Sequence, residues 1–475
     1  PALAESRTHC RSAGVDPNRP AIPCLIGRAA LEDVSFYLRG NWQPHTCVRF
    51  SPDGRLLAIG SYTGWMRLWD VYDGQTVWQK KIAEGMVKRV GFSPDGRRVY
   101  FGEQSVDAFI YGAETRTGKI RWRFRLADDL GSSRPPANDE PYGIFRLPGP
   151  YGLEILEDGD VLVQGRHSWG GNPAIDEMKH LSRLYRLSPE GKVRWAYPEY
   201  GALPYKVIYS DADAAGHRVA LLIAQKGAQK DAAYPFREGT LVVLDGASGK
   251  LLWQYTFEPL RPYFDRIGFW ESISMGPSGR RASVGLSDGR TFLFDLEQRR
   301  IEKAFPFGAP VLISGVPVSA RATYNHLAAD GMAYFQTDVS SVPYASTMDR
   351  VVSPPGPHPN ATTLTAVGPD GAIAWRYRSG HSFQNFWTSR DGRWLLTAVN
   401  RDDQRLGREA GGMLFDTHRR GGGTSRLVYF YPVRGKTHFH ADLARDGSAF
   451  ALVETPYRDP RTDEIIGEYA VHVVR

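Results

Sequence analysis

Short apolar runs punctuated by polar turns recur along the whole chain. Eight times the turn that closes a run carries a glycine: Gly54 and Gly96 in Ser-Pro-Asp-Gly, then Gly159, Gly216, Gly279, Gly331, Gly392 and Gly447. Spacings range from 42 residues (54 to 96) to 63 (96 to 159), the length of one four-stranded blade with variable loops. Asp-Gly and Ser-Gly supply the positive backbone angles that tight hairpins need, so each turn is expected to join two antiparallel strands. A second pattern overlaps the first. In WDVYDGQTVW (69–78), AETRTGKIRW (113–122), LSPEGKVRW (187–195), LDGASGKLLW (244–253) and VGPDGAIAW (367–375) a strand enters a glycine turn and a tryptophan follows four residues later. Trp78, Trp122, Trp195, Trp253 and Trp375 are predicted to pack between neighbouring blades, where each ring can bury roughly 200 Å². The copy FDLEQRRIEKAF (294–305) has lost both the glycine and the tryptophan and reads as degenerate.

The pattern predicts an all-β chain, an eight-bladed β-propeller over residues 31–475, with seven blades as the fallback. The last repeat supplies about three strands before Arg475. Its missing outer strand is expected from the N-terminus, at VSFYLRG (34–40), which echoes VYFYPVRG (428–435) of the preceding blade. A strand borrowed from the opposite terminus removes an open sheet edge.

These segments resemble the pyrroloquinoline-quinone-like repeat, marked by an acidic residue, a Thr/Ser-Gly-Lys turn and a tryptophan. Asp245, Ser248, Gly249, Lys250 and Trp253 match it, as do Glu114, Thr117, Gly118, Lys119 and Trp122. The Ser-Pro-Asp-Gly stretches, with RLLAIGSYTGWMRLWD (55–70), resemble a WD-repeat blade instead. The resemblance implies a propeller and leaves function to the site. Quinone dehydrogenases of this family hold their cofactor against adjacent cysteines with carboxylates on calcium, whereas Cys10, Cys24 and Cys47 are far apart here. No quinone is therefore expected. Cys-x-x-Cys-His, Gly-x-Ser-x-Gly, a Walker loop and His-Glu-x-x-His are also absent from the sequence.

Residues 1–30 fall outside the repeat and carry Cys10 and Cys24 around a Pro-rich stretch. A bridge between them would stabilise by roughly 3 kcal/mol on the chain-entropy model and needs an oxidising compartment; two unpaired thiols is the other reading. PALAES at the start looks like the small-residue end of an export signal, which fits a periplasmic or extracellular protein. The composition, 42% apolar and 12% aromatic with 50 Gly and 32 Pro, suits a turn-rich strand protein, and no stretch approaches the ~20 apolar residues of a membrane span. A soluble mature chain is expected. The net charge of +7 is spread among interleaved acids, without a basic helix or aromatic platform, so nucleic acid is not an expected partner. Peripheral association with an anionic envelope or cell surface is compatible with it. Four insertions, at 132–141, 225–239, 342–360 and 401–426, interrupt the blades; the last is Arg- and Gly-rich and reads either as a dock for an acidic partner or as a solvated loop.

Aligning the repeats on their turn glycines brings His45, Arg49, Arg89, Tyr209, His326, Asn385, Trp387 and Asp442 onto first strands, facing a central funnel, as binding candidates. Cys47, Glu154, Asp211, Tyr324, His438 and His440 join the same alignment. His438 and His440 share one face of a strand and could ligate one zinc or copper ion, with His45 or His326 completing the set. The other reading is that these polar groups satisfy one another between blades, Asp442 pairing with Arg49 where the last blade meets the first. Asp211 to Gly216 match a calcium loop only in part, and Asn360-Ala-Thr is a lone glycosylation sequon. The expectation is a non-catalytic, extracytoplasmic scaffold acting on other protein subunits without a resident cofactor, resembling propellers that help assemble outer-membrane proteins. The alternative is an exported enzyme using the funnel, a metal-dependent oxidoreductase or an arylsulfotransferase-like protein.

Overall fold

Six of the blades are four-stranded meanders in which consecutive strands pair antiparallel, as the hairpin turns require, and two are sheets of five strands. The computed structural model describes residues 23–34, 45–132, 141–170, 177–343, 353–400, 410–437, 440–459 and 461–475, the side chains of 141 and 142 excepted. Among the described residues these eight sheets make the chain an all-β, eight-bladed propeller. Among the described residues the helices are single turns, Ala127–Leu130 and Gly423–Arg426, with a 3₁₀ segment at Pro141–Arg146.

Contacts divide the chain into two compact units of four blades each. One holds residues 1–125, 134–145 and 380–475, the other 126–133 and 146–379. The first unit contains blade 1 (Cys47–Phe50 to Gln75–Lys81), blade 2 (Met86–Phe92 to Ile120–Arg125), blade 7 (Ser382–Thr388 to Leu427–Val433) and blade 8. The second contains blade 3 (Gly149–Ile155 to Val193–Tyr197), blade 4 (Tyr205–Ala212 to Leu251–Thr256), blade 5 (Ile273–Met275 to Arg300–Phe305) and blade 6 (Val316–Leu327 to Ile373–Arg378).

All eight turn glycines adopt positive φ, between 66° and 86°, as their place in the hairpins demands. At Ser51-Pro-Asp-Gly the Asp53 carboxylate accepts from Ser51 Oγ (2.5 Å) and from the Arg55 amide (3.1 Å), and Ser93 with Asp95 and Ser389 with Asp391 repeat the device. The outer turns have their own lock. Asp245 Oδ1 accepts from both the amide and the hydroxyl of Ser248, which holds its carboxyl below the usual range. In the degenerate copy Asp295 still accepts from the Glu297 and Gln298 amides, while Arg299 takes φ 55° where the other turns have glycine.

Trp78, Trp195 and Trp253 do span blades. The Trp78 indole donates to Thr115 O (2.7 Å) and covers Gly118, where a Cβ would lie 2.8 Å from the ring. Trp195 donates to Gly246 O (2.7 Å) and covers Gly249 in the same way, and Trp253 meets Phe294 edge-on at 5.7 Å. Trp122 and Trp375 lie against Tyr100 and Tyr334 of their own blades.

Blade 8 is spliced from both regions of the chain. Its order runs from Leu25–Ala30 through Ala470–Val474 and Phe450–Thr455 to an inner edge broken into Lys436–Thr437 and Asp442–Leu443. An N-terminal strand therefore completes the last blade, but it is Leu25–Ala30 and not 34–40, so it lies inside the stretch expected to form an extension outside the repeat. The reason is steric. Gly27 crosses the Trp69 ring so closely that a Cβ would sit 2.2 Å from it, so the strand needs a glycine at its middle, which VSFYLRG carries only at its end. Cys24 and Arg475 clamp the end of the pair by exchanging amide-to-carbonyl bonds of 3.0 and 2.8 Å. Val34 packs instead with Tyr62, Met86 and Tyr469, and residues 35–40 lie outside the described residues.

Candidate functional site: the polar inner strands

Within each unit the inner strands pack against neighbouring blades, so their side chains either bury apolar surface or must find polar partners. In the first unit they find them across blade boundaries. Asp442 Oδ1 pairs with Arg49 Nη1 at 3.2 Å, and its Oδ2 accepts the Phe50 amide at 2.7 Å, joining blade 8 to blade 1. Burial pushes the Asp442 carboxyl up, and the Arg49 guanidinium opposes that. Arg89 Nη1 stands 2.8 Å from His440 Nε2, joining blade 2 to the broken inner edge of blade 8. A guanidinium only donates, so the Nε2 lone pair that a metal would use is directed at Arg89. His438, the other half of the expected metal pair, lies outside the described residues. Cys47 is free, and burial raises its thiol to about 12, which makes it an inert filler beside Val87 O. Cys10, the expected partner of Cys24, lies outside the described residues.

The remaining first-unit candidates have local roles. The His45 ring rests on Phe145, centroids 4.7 Å apart. Asn385 sits at φ 46° in a bulge, its Oδ1 accepting the Phe386 amide at 2.8 Å. Trp387 packs into the apolar cluster of Leu396, Leu414, Leu443 and Phe450 between blades 7 and 8.

The second unit repeats the latch with different electrostatics. Asp211 Oδ2 accepts the Met275 amide at 2.7 Å, tying blade 4 to blade 5 as Asp442 ties blade 8 to blade 1. No arginine stands in the place of Arg49. Burial, and then the negative charge of Glu154, push the Asp211 carboxyl up to about 8. Asn325 donates to Ser272 O at 2.9 Å across the blade 5–6 boundary. Burial lowers His326 to about 4, so its ring is neutral at pH 7. Tyr209 packs half-buried against the apolar core shared by blades 4 and 5.

Two constellations escaped the sequence reading. Trp270 is 49% exposed, yet its indole donates to the Tyr324 hydroxyl at 2.9 Å. Arg321 lies 5.8 Å from the Trp270 ring and pairs with Asp338 at 2.6 Å. The signal was a tryptophan outside the Gly-x-x-x-Trp pattern. The second constellation is Glu454, Glu468 and His472 in blade 8. Its residues are separated in sequence by a hairpin, so no spacing announced it.

A family model described as PQQ_2, outer membrane protein assembly factor BamB, matches residues 63–305, and one described as WD domain, G-beta repeat, matches residues 36–70. Serine-threonine kinase receptor-associated protein of Homo sapiens is 44% identical over 55 residues, 11% of this chain and 15% of that protein. THO complex subunit 3 of Arabidopsis thaliana is 26% identical over 118 residues, 22% of this chain and 37% of that protein. The chain thus spans well under half the length of these relatives. Among solved structures, dihydro-heme d1 dehydrogenase NirN is similar with a TM-score of 0.47 at 16% identity, covering 83% of this chain and 67% of that one. U3-55K gives 0.47 at 12%, covering 92% and 97%.

Proposed function

The chain belongs to the PQQ_2 family, described as outer membrane protein assembly factor BamB, and from that premise we propose that it is a non-catalytic, protein-binding propeller, a subunit of a larger assembly outside the cytoplasm. The observation that carries this reading is Trp270. A half-exposed indole costs free energy in water, and here it is fixed by Tyr324 and flanked by Arg321, so it loses little conformational freedom on meeting a partner. Trp, Tyr and Arg are the side chains that dominate protein interfaces. The inner-strand groups support the same reading, since Arg49, Asp442, Arg89 and Asp211 are engaged in joining blades.

Tagged full-length chain, recovered from the envelope fraction of its native cells, is expected to bring down a protein partner in stoichiometric amount. Trp270→Ala is expected to weaken that association at least tenfold, with an unchanged thermal transition. A chain that migrates alone on native gel filtration, or a partner held equally by Trp270→Ala, would overturn the proposal. Recovery in the periplasmic or extracellular fraction, with a Cys10–Cys24 peptide seen only before reduction, is the expected result for the location.

A further inference from the structure

We propose that blade 8 carries a binding site for one borderline divalent cation, of the zinc type, formed by Glu454, Glu468 and His472. Their ligand atoms lie within 4.8 Å of one another. Glu454 Oε2 is 2.9 Å and Glu468 Oε1 3.6 Å from His472 Nε2. The arrangement is more than a cluster of acids, because every other polar atom of the three is engaged. Glu454 Oε1 accepts the amides of Gly435 (2.6 Å) and Glu468 (3.3 Å), and Glu468 Oε2 is held by Arg28 at 2.6 Å. The Tyr431 hydroxyl is 3.0 Å from His472 Nδ1 and orients the ring. What remains is one oxygen of each carboxylate and Nε2, and these three converge on one another.

His472 is 6% exposed, and its Nε2 has no hydrogen bond of acceptable geometry despite the nearby carboxylate. A buried imidazole nitrogen within ion-pair distance of two carboxylate oxygens is the arrangement a cation would complete. Imidazole with two carboxylates suits zinc or another first-row divalent ion, and a second group on the far imidazole nitrogen is the usual outer support of such a ligand. Two glycines permit the convergence. A Cβ on Gly467 would lie 2.3 Å from Gly435 Cα and 2.8 Å from Glu454 Oε1, so both loops close down over Glu454. The site also spans the splice, since Arg28 comes from the N-terminal strand and His472 pairs opposite it.

The test is titration of metal-stripped full-length protein with Co²⁺, read by visible absorption and by the number of ions bound after dialysis. One ion per chain is expected, displaced by Zn²⁺, with the thermal transition raised by the metal. Glu468→Gln, which changes a partly exposed side chain and is expected to fold, should weaken binding at least tenfold, and His472→Gln should abolish it. His438→Ala with His440→Ala should leave it intact. Less than ~0.1 ion bound at millimolar Co²⁺, or binding that survives Glu468→Gln and His472→Gln, would overturn the site.

Discussion

Blade 5 and blade 8 are sheets of similar size held together by different means. All four strands of blade 5 lie between Ile273 and Phe305, and Met275, Ala282, Val284, Phe292 and Phe294 are buried together beside small hydroxyls such as Ser283 and Thr291. Blade 8 draws its outer strand from the other end of the sequence, and beside the buried Phe450, Leu452, Val453, Val471 and Val473 its interior holds an ionisable set, Lys436, Glu454 and His472. Strands that are close in sequence find one another at little entropic cost, so non-directional apolar packing suffices. A strand arriving from far away can slip in register, and a one-residue slip reverses every side chain. Directional contacts that only one register satisfies prevent this. In blade 8 these are the Cys24–Arg475 clamp, Arg28 on Glu468 and Gly27 across Trp69.

The largest effect expected from this contrast is removal of residues 1–30. It strips the partner from Ala470–Val474, a strand buried at all five positions, and leaves an open apolar edge. The truncated chain should aggregate or lose its cooperative thermal transition, and a synthetic peptide of residues 23–34 should restore it in trans. A truncation that melts like the full chain would break the comparison. Next in size is Phe294→Ala in blade 5, where rings from Trp253, Tyr255 and Phe257 meet the same side chain. A loss of about 3–5 kcal/mol in denaturant unfolding is expected.

The smallest effect sharpens the contrast between the two carboxylate latches. Asp442 has Arg49, while Asp211 has Glu154 beside it. Because the Asp211 carboxyl is raised to about 8 in the folded chain, its contribution to stability is whole below the unfolded value of about 4 and is lost as pH rises through 8. Thermal stability should therefore decline as pH rises from about 4 to 8 and level off above it. Asp211→Asn should flatten that decline, with a gain on the order of 1 kcal/mol at pH 9 relative to the unsubstituted chain. Parallel pH curves for the two proteins would remove Asp211 as the cause.

The architecture was legible because its signals are local. Asp-Gly turns and the Gly-x-x-x-Trp pattern each fix geometry within ten residues, and even the degenerate turn at Arg299 kept its acidic acceptor. The closing strand was misplaced because LIGRAA owes its position to a close approach to Trp69, which hydrophobic alternation does not encode. Alignment on the turns correctly put Arg49 with Asp442 and Asp211 among the inner-strand groups, since registers there follow the hairpins. It gave no means to see that Asn385 occupies a bulge or that His440 faces Arg89, because both depend on insertions in the strand and on a neighbour from another repeat. Trp270 and the Glu454–Glu468–His472 group lie outside the repeating positions, and only folding brings their members together.

Leu25–Ala30 is synthesised about 440 residues before the strand it pairs with. At typical elongation rates that delay is roughly 20–90 s, during which the segment has no native partner. A sticky strand would be a hazard over such an interval. The one used here is built of Leu, Ile, Gly, Arg and two Ala, with a charge in its middle and little aromatic surface, a composition that keeps a waiting segment from recruiting the wrong neighbour.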